Sequence, residues 1–261
     1  MMATNIPQKS DFEKARLNDK YSRYAGYFFA AISLASVIIS KAKYDGSIID
    51  YIIMICVVLA TAAVCYFQFR YVLSYRKAEE TRRDGLFDNS FKTKMADITS
   101  EGYYDNENIE YGMKKLLSNI HENSFFSSRI VDAMFKNTEK INIFLVILLT
   151  TLTVLNFMEM RYIVAVFSIF FSLGFLDDYL KIRALQRDLD AVQTKCKSIW
   201  THYSDKRGNP DMQSAAEVIR VAIQYETSLA YASLMFDSKE FEKLNVEISS
   251  EWEEMKKRFC S

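Results

Sequence analysis

Two long apolar runs lie close together in the second half of the chain and limit what it can fold into. Residues 141–158 and 162–176 contain no charged side chain, and Glu159 and Arg161 are the only charges between them. At about 1.5 Å of rise per helical residue, each run nearly matches a hydrocarbon core of about 30 Å. The stretch 141–176 therefore predicts a transmembrane hairpin.

A second pair of apolar runs lies nearer the N-terminus. Residues 25–40 are uncharged, and residues 46–69 are interrupted only by Asp50. The link between these runs is too short for a domain, so they predict another hairpin. The alternative is a soluble bundle with buried helices. Four uncharged runs, paired by short links, favour the membrane.

Basic residues are distributed unequally between the two ends of the predicted hairpins, which indicates the topology. The ends that join residues 1–24, 70–140 and 177–261 are flanked by many Lys and Arg residues, whereas the opposite loops carry chiefly Lys41, Lys43 and Arg161. Cytosolic loops are enriched in Lys and Arg. We therefore expect a cytosolic N-terminal segment (1–24), hairpin 1 (25–69), a cytosolic helical segment (70–140), hairpin 2 (141–176) and a cytosolic C-terminal helical domain (177–261).

The composition indicates an all-α fold. Only two prolines and seven glycines occur in 261 residues, whereas β-sandwiches and barrels need turn residues every 8–12 positions. The net charge is zero, which excludes a globally basic nucleic-acid binder. Four cysteines show neither metal spacing nor a disulfide framework, which is typical of a reducing compartment.

Helical periodicity continues in the predicted cytosolic segments. The second span is expected to extend through 71–83 and to end near Gly85, with further helices at 107–117 and 125–135. Long helices are expected at 177–203, 212–236 and 240–259. The first of these carries a heptad seam at Ile182, Leu185, Leu189, Val192, Cys196, Ile199 and Tyr203. Two partners are possible for this seam: the returning helix of the same chain and the same helix of another subunit. We expect the seam to pack against both.

Residues suited to catalysis are scarce. His121 and His202 have no neighbouring nucleophile arrangement, and we interpret both as polar surface or interface residues. No phosphate loop, zinc spacing or cofactor motif occurs. Asp177 and Asp178 suit a helix cap better than a cation-attracting ring. We therefore expect neither an enzyme nor a bound cofactor.

Two sets of residues are candidate binding or conducting positions. Basic side chains near aromatic residues suggest contacts to nucleotide phosphates, although they also suit topology and anionic lipid headgroups. These are Arg76, Lys77, Arg82, Arg83, Lys92 and Lys94. Polar side chains of the third span suggest a pore lining, with interhelical hydrogen bonds as an equally good explanation. These are Asn142, Thr150, Thr153 and Asn156.

The middle segment resembles a known family of effectors. The two hairpins, together with LFDNSF at 86–91 and ENSFF at 122–126, are similar to the SMODS-associating four-transmembrane effectors of bacterial nucleotide-signalled anti-phage defence. The pore-forming effector of the Hailong system is a close candidate for this likeness. The likeness covers roughly residues 21–176.

That resemblance implies a specific function. It implies a homo-oligomeric, tetrameric channel of the bacterial inner membrane, gated by a nucleotide or oligonucleotide from an associated nucleotidyltransferase. Its opening would depolarise the cell and arrest growth. The sign of the nucleotide's effect stays open. The rival interpretation is a membrane-anchored adaptor that recruits a partner through its coiled coil.

Overall fold

A computed structural model describes residues 8–41, 47–97, 106, 108–154, 174–204, 211–236 and 238–259. This part of the chain forms six α-helices and no strand, which confirms the all-helical class. The helices are α1 (Lys9–Lys41), α2 (Ser47–Phe91), α3 (Met113–Val154), α4 (Phe175–Ser204), α5 (Met212–Ala232) and α6 (Ser238–Phe259).

The helices are divided between two compact units. Unit 1 comprises Met1–Ser10, Lys77–Asn137 and Leu180–Ser261, and unit 2 comprises Asp11–Arg76 and Thr138–Tyr179. Helices α1, α2, α3 and α4 contribute to both units, because each unit boundary falls inside a helix. Unit 1 contains only residues of the predicted cytosolic segments, whereas unit 2 contains both predicted hairpins and the residues that flank them.

The heptad seam of α4 forms the centre of unit 1. Six of its seven predicted positions, from Ile182 to Ile199, are buried, and the side chain of the seventh, Tyr203, lies outside the described residues. They belong to one apolar cluster with Val218, Val221 and Tyr225 of α5. The seam therefore packs against the returning helix, as the first of the two predicted alternatives holds.

Helix α6 is held against α3 by a smaller apolar cluster in unit 1. Ile248 and Trp252 pack with Phe125 and Ile130. An exposed ion pair joins Arg129 Nη2 to Glu251 Oε2 at 2.6 Å. Exposed pairs contribute little to stability, so the apolar cluster provides most of the attachment of α6.

In unit 2, α1 and α2 run antiparallel. The rings of Phe12 and Tyr75 lie 6.0 Å apart, and further along α1 the rings of Tyr21 and Phe67 lie 5.3 Å apart. Contacts that advance along α1 therefore move backwards along α2. The pairing agrees with the predicted hairpin of the first two apolar runs.

Three predicted helix boundaries were wrong. Helix α2 continues through Gly85 to Phe91, because the burial of Leu86 in the apolar cluster offsets the roughly 1 kcal/mol cost of a helical glycine. The helices predicted at 107–117 and 125–135 are one helix from Met113. Helix α5 ends at Ala232, because Ser233 adopts the left-handed conformation.

One described helix is long and apolar enough to cross a membrane. It lies within Ile48–Phe91, and only 6% of its apolar window is buried in the chain. The third predicted span is described as far as Val154, and residues 155–173, which include most of the fourth, lie outside the described residues.

Candidate functional site

The polar motifs singled out in the sequence meet in unit 1 at a set of hydrogen bonds, which we call the asparagine network. Asn119 Nδ2 donates to Asn89 Oδ1 at 2.8 Å and to Ser90 Oγ at 3.0 Å. Asn106 Nδ2 donates to Asn119 Oδ1 and to Glu122 Oε2, both at 2.9 Å. Residues of α2, of α3 and of the segment between them are therefore fastened together.

The burial of this network explains why α3 is not interrupted. Asn119 and Ser90 are fully buried, and Asn106 is nearly so. Buried polar groups are stable only when they are hydrogen-bonded. A polar stretch that looks like a loop in the sequence is thus an internal helical segment, and the network fixes the path of the chain beside α2.

Asp88 organises the turn that follows α2. Its carboxylate accepts hydrogen bonds from Thr93 Oγ1 at 2.7 Å and from the backbone N–H groups of Met95 and Ala96 at 2.7 and 2.9 Å. Burial opposes ionisation of Asp88, but these hydrogen bonds outweigh it and lower its pKa. Lys92 and Lys94 are presented on this turn with exposed side chains.

Lys92 stands at the C-terminal cap of α2 in a left-handed conformation. Its φ is 59°, and its backbone N–H donates to the carbonyl of Asp88 at 2.9 Å. Its Nζ lies 5.6 Å from the ring centroid of Tyr111, and the buried Lys115 places its own Nζ 4.3 Å from the same ring. The ring face stabilises both cations.

Arg82 is the centre of a buried ionic cluster, formed by Glu79, Arg82, Ser127, Tyr225 and Glu226. Arg82 Nη2 lies 2.9 Å from Glu79 Oε2 and 2.6 Å from Glu226 Oε2. Its guanidinium also lies 5.6 Å from the ring centroid of Tyr225, whose hydroxyl is 3.3 Å from Ser127 Oγ. The cluster joins α2, α3 and α5.

The electrostatics of this cluster follow from one guanidinium facing two carboxylates. Burial opposes the charge of Arg82, but Glu79 and Glu226 outweigh it and raise its pKa. Burial raises the pKa of Glu226, assisted by the charge of Glu79, although Arg82 acts in the opposite direction. Arg82 Nη1 and Glu226 Oε1 are buried without a hydrogen-bond partner. The cluster is therefore sensitive to loss of either partner.

The six basic residues proposed for phosphate binding occupy two kinds of environment. Arg82 is enclosed in the ionic cluster, where its guanidinium is paired with carboxylates. The other five side chains are exposed: Arg76, Lys77, Arg83, Lys92 and Lys94. These five side chains can be approached by a phosphate from solvent.

The predicted pore-lining residues are described only in part. Asn142 is buried in unit 2 and donates to the carbonyl of Thr138 at 2.9 Å. Thr150 is exposed and donates to the carbonyl of Val146 at 2.8 Å. The side chain of Thr153 and the whole of Asn156 lie outside the described residues. Both described side chains are satisfied by their own helix, which suits lipid or protein contact.

His121 is a residue whose environment the sequence did not reveal. It is fully buried where α3 meets α6, and its ring lies 5.2 Å from that of Trp252 and 6.2 Å from that of Phe259. Burial lowers its pKa to about 4, assisted by Lys197. The prediction of a polar surface or interface residue was therefore wrong for His121, which is buried inside the chain. The only sign of this in the sequence was the apolar character of the nearby Ile120 and Phe125. His202 is exposed.

Two acidic residues that follow the fourth predicted span lie at the start of α4, and one of them forms an ion pair. Asp177 and Asp178 lie in the first turn of α4, and Asp178 Oδ2 lies 3.1 Å from Arg23 Nη1 in unit 2. Within the described ranges, no group of three or more His, Cys, Asp or Glu side chains is arranged to hold a metal ion.

The comparisons with known proteins add no assignment. No protein-family model, no curated protein and no solved structure matches this chain.

Proposed function

We propose that this chain is the subunit of an oligomeric four-span ion channel that a nucleotide signal gates in anti-phage defence. One observation carries the proposal: the apolar half of α2 is uncovered, with only 6% of its window buried. A soluble protein rarely exposes so large an apolar surface. Lipid and neighbouring subunits are the environments that remove this surface from water.

Two polar contacts in unit 2 support two hairpins with their ends on one side. Ser22 Oγ donates to Gln68 Oε1 at 3.3 Å, which brings the start of the first predicted span to the end of the second. Arg23 pairs with Asp178 at 3.1 Å, which brings the same start to the end of the fourth. A chain that returns twice to one level is expected to cross the bilayer an even number of times.

Helix α2 connects the proposed ligand-binding region to the proposed channel. Its apolar residues belong to unit 2, whereas Glu79 and Arg82 on the same helix belong to unit 1. A helix transmits rotation or displacement along its length, because its backbone hydrogen bonds are continuous. Ligand binding in unit 1 would therefore bias the two states of the pore through differential affinity.

The ligand proposed for unit 1 is a nucleotide or oligonucleotide from an associated nucleotidyltransferase. The exposed basic side chains after Arg76 supply positive charge for phosphates, and the exposed ring of Tyr111 beside Lys92 supplies a stacking surface. Cationic side chains with aromatic neighbours suit such ligands without needing a base-specific pocket.

The proposal is tested with full-length protein in liposomes. We expect ion conductance that changes on addition of one member of a set of cyclic and linear di- and trinucleotides. Arg83, Lys92 and Lys94 changed together to Glu should abolish the change and keep the conductance. Arg187→Glu, an exposed charge reversal on α4, is the matched control. A silent, correctly inserted oligomer would refute the channel.

The adaptor interpretation gives a different outcome in the same experiment. An anchor that only recruits a partner should show no conductance, and reversal of the basic residues should remove that partner without changing toxicity on expression.

A further inference from the structure

The beginning of α3 lies beside the ends of two other helices of unit 1. Lys114, in the first turn of α3, places its Nζ 5.9 Å from the ring centroid of Trp200, near the end of α4. Phe259, the last residue of α6, places its ring 6.2 Å from that of His121 on α3. Three helix termini therefore meet at one end of unit 1.

Four basic side chains lie at this end of unit 1, which we call the basic end. They are Lys92, Lys114, Lys197 and Arg258. Lys197 is half-buried and the other three are exposed. None of the four forms an ion pair with another described residue, whereas Arg129, further along α3, pairs with Glu251. Cations without a carboxylate partner are thus concentrated at the basic end.

Aromatic rings contact three of these cations. Lys92 Nζ lies 5.6 Å from the ring centroid of Tyr111, and the guanidinium carbon of Arg258 lies 5.4 Å from that of Phe259. The contact of Lys114 is described above. A ring face attracts a cation but does not neutralise its charge. The positive charge of the basic end therefore stays available to an anion.

The first turn of α3 is unusual in its charge. It contains Lys114 and Lys115 and no acidic residue. The helix dipole makes an N-terminus partly positive, so cations are unfavourable there and favourable at a C-terminus. Arg258 in the last turn of α6 complements its helix dipole, but the two lysines of α3 oppose theirs. An anion bound at the basic end would offset this repulsion.

We propose that the basic end binds a ligand that carries several linked phosphate groups. Lys197 acts electrostatically on His121, which lies about 10 Å beyond Lys114 along α3 at 1.5 Å of rise per residue. The cations are therefore spread over more than one phosphate. The ring of Tyr111, which is 56% exposed, provides a face on which a base can stack.

Inorganic polyphosphate and a single-stranded oligonucleotide both have this phosphate chemistry, and the experiment below distinguishes them. The inference rests on the proposed function and deepens it. It assigns the phosphates of the ligand to Lys114, Lys197 and Arg258, which the sequence patterns did not single out.

Calorimetric titration of the full-length, detergent-solubilised chain tests the site. The probes are inorganic phosphate, tripolyphosphate and a single-stranded tetranucleotide. The test variant combines Lys114→Gln, Lys197→Gln and Arg258→Gln. The control variant removes one exposed cation from each of the same three helices, by Lys136→Gln, Arg187→Gln and Lys243→Gln.

We expect the parent chain to bind tripolyphosphate and the tetranucleotide more tightly than inorganic phosphate. Each phosphate contact to a single strand contributes about −0.7 to the slope of log affinity against log salt concentration. Four contacts give a slope of about −2.8, and the test variant should retain about −0.7. Its affinity should fall by roughly tenfold or more, whereas the control variant should stay within about twofold of the parent.

The two stronger probes identify the source of the phosphates. Tighter binding of the tetranucleotide would support a base stacked on Tyr111, and tighter binding of tripolyphosphate would support a polyphosphate chain. Circular dichroism should give the same helix content for both variants. The three single substitutions repeat the test one cation at a time, and each should reduce the steepness of the salt slope by about 0.7.

Two results would overturn the inference. One is a parent chain that binds neither tripolyphosphate nor the tetranucleotide, and the other is equal affinity of the test and control variants. If the test variant keeps its affinity and its conductance in liposomes still responds to a nucleotide, this inference fails and the proposed function stands. A chain that binds phosphates through these residues and never conducts would do the reverse.

Discussion

Arg23 and Asp178 form an ion pair across 155 residues of sequence, with Nη1 and Oδ2 at 3.1 Å in unit 2. Arg23 also pairs with Asp19 on its own helix at 2.9 Å. One guanidinium thus fixes the beginning of α4 beside α1. Arg23 precedes the first apolar run and Asp178 follows the fourth. Their contact therefore brings the start of the first run close to the end of the fourth.

This proximity predicts that both positions lie on one side of the membrane, and the Lys and Arg residues beside them predict the cytosolic side. A cysteine placed at Arg23 or at Asp178 should react with a membrane-impermeant maleimide only after the cells are opened. A cysteine at Lys43, in the predicted link of the first hairpin, should react in spheroplasts that are still intact. Reaction of the two paired positions from opposite sides would contradict the even number of crossings.

The ionic cluster should depend strongly on Arg82. Replacement by Met leaves Glu79 and Glu226 as uncompensated buried carboxylates, so we expect a loss of about 3–5 kcal/mol in the free energy of unfolding. Arg83→Met on the exposed side of α2 should change it by less than about 0.5 kcal/mol. Urea denaturation followed by circular dichroism gives both values. An unchanged midpoint for Arg82→Met would show that the cluster is not formed.

His121 should make the chain sensitive to acid. It is neutral in the folded and unfolded states above its ordinary pKa of 6.5, so it affects stability little at pH 8. Below pH 6.5 the unfolded state takes up a proton, whereas the folded state does not until about pH 4. Stability should therefore fall as the pH decreases through this window, by about 2 kcal/mol at pH 5.

His121→Leu provides the control for this acid dependence. The variant removes the titrating ring from its apolar site, so the loss of stability between pH 7 and pH 5 should shrink by about 2 kcal/mol. Denaturant midpoints at the two pH values give the comparison. The same acid dependence in the variant and in the parent chain would assign the effect to other groups.

Two substitutions of Lys92 should distinguish the effect of backbone strain from the effect of ligand binding. Its left-handed conformation costs roughly 1 kcal/mol that a glycine avoids, so Lys92→Gly should stabilise the chain by about that amount. Lys92→Gln keeps the strain and removes the charge. Both variants should lose nucleotide affinity in equilibrium binding, and only the glycine variant should melt higher. Equal melting of the two variants would contradict the assigned cap.

Sequence patterns predicted the features that depend on periodicity. The scarcity of Pro and Gly indicated the all-helical class, and the α4 seam identified the centre of unit 1, because a three-and-four spacing marks one helix face directly. The predicted end of α2 near Gly85 was wrong, because the burial of Leu86 depends on helices that are distant in the sequence. Gly85 is a helix breaker only where tertiary packing does not offset its cost.

The types of residue in the candidate site could be predicted from the sequence, but the partners with which they form hydrogen bonds and ion pairs could not. Basic residues between 76 and 94 are evident in the sequence, but nothing near Arg82 reveals that Glu226, 144 residues away, accepts its hydrogen bond. The asparagine network presents the same difficulty, since Asn106 and Asn119 look like loop residues until their amides are paired. His121 likewise looks like a polar surface residue until Trp252 covers it.

The central claim is that lipid covers much of unit 2, and membrane fractionation tests it most directly. Cells expressing the full-length chain are lysed without detergent, and the membranes are washed with alkaline carbonate and centrifuged at high speed. We expect the chain to remain in the pellet and to be released by detergent. A folded, monodisperse chain in the detergent-free supernatant would contradict the account.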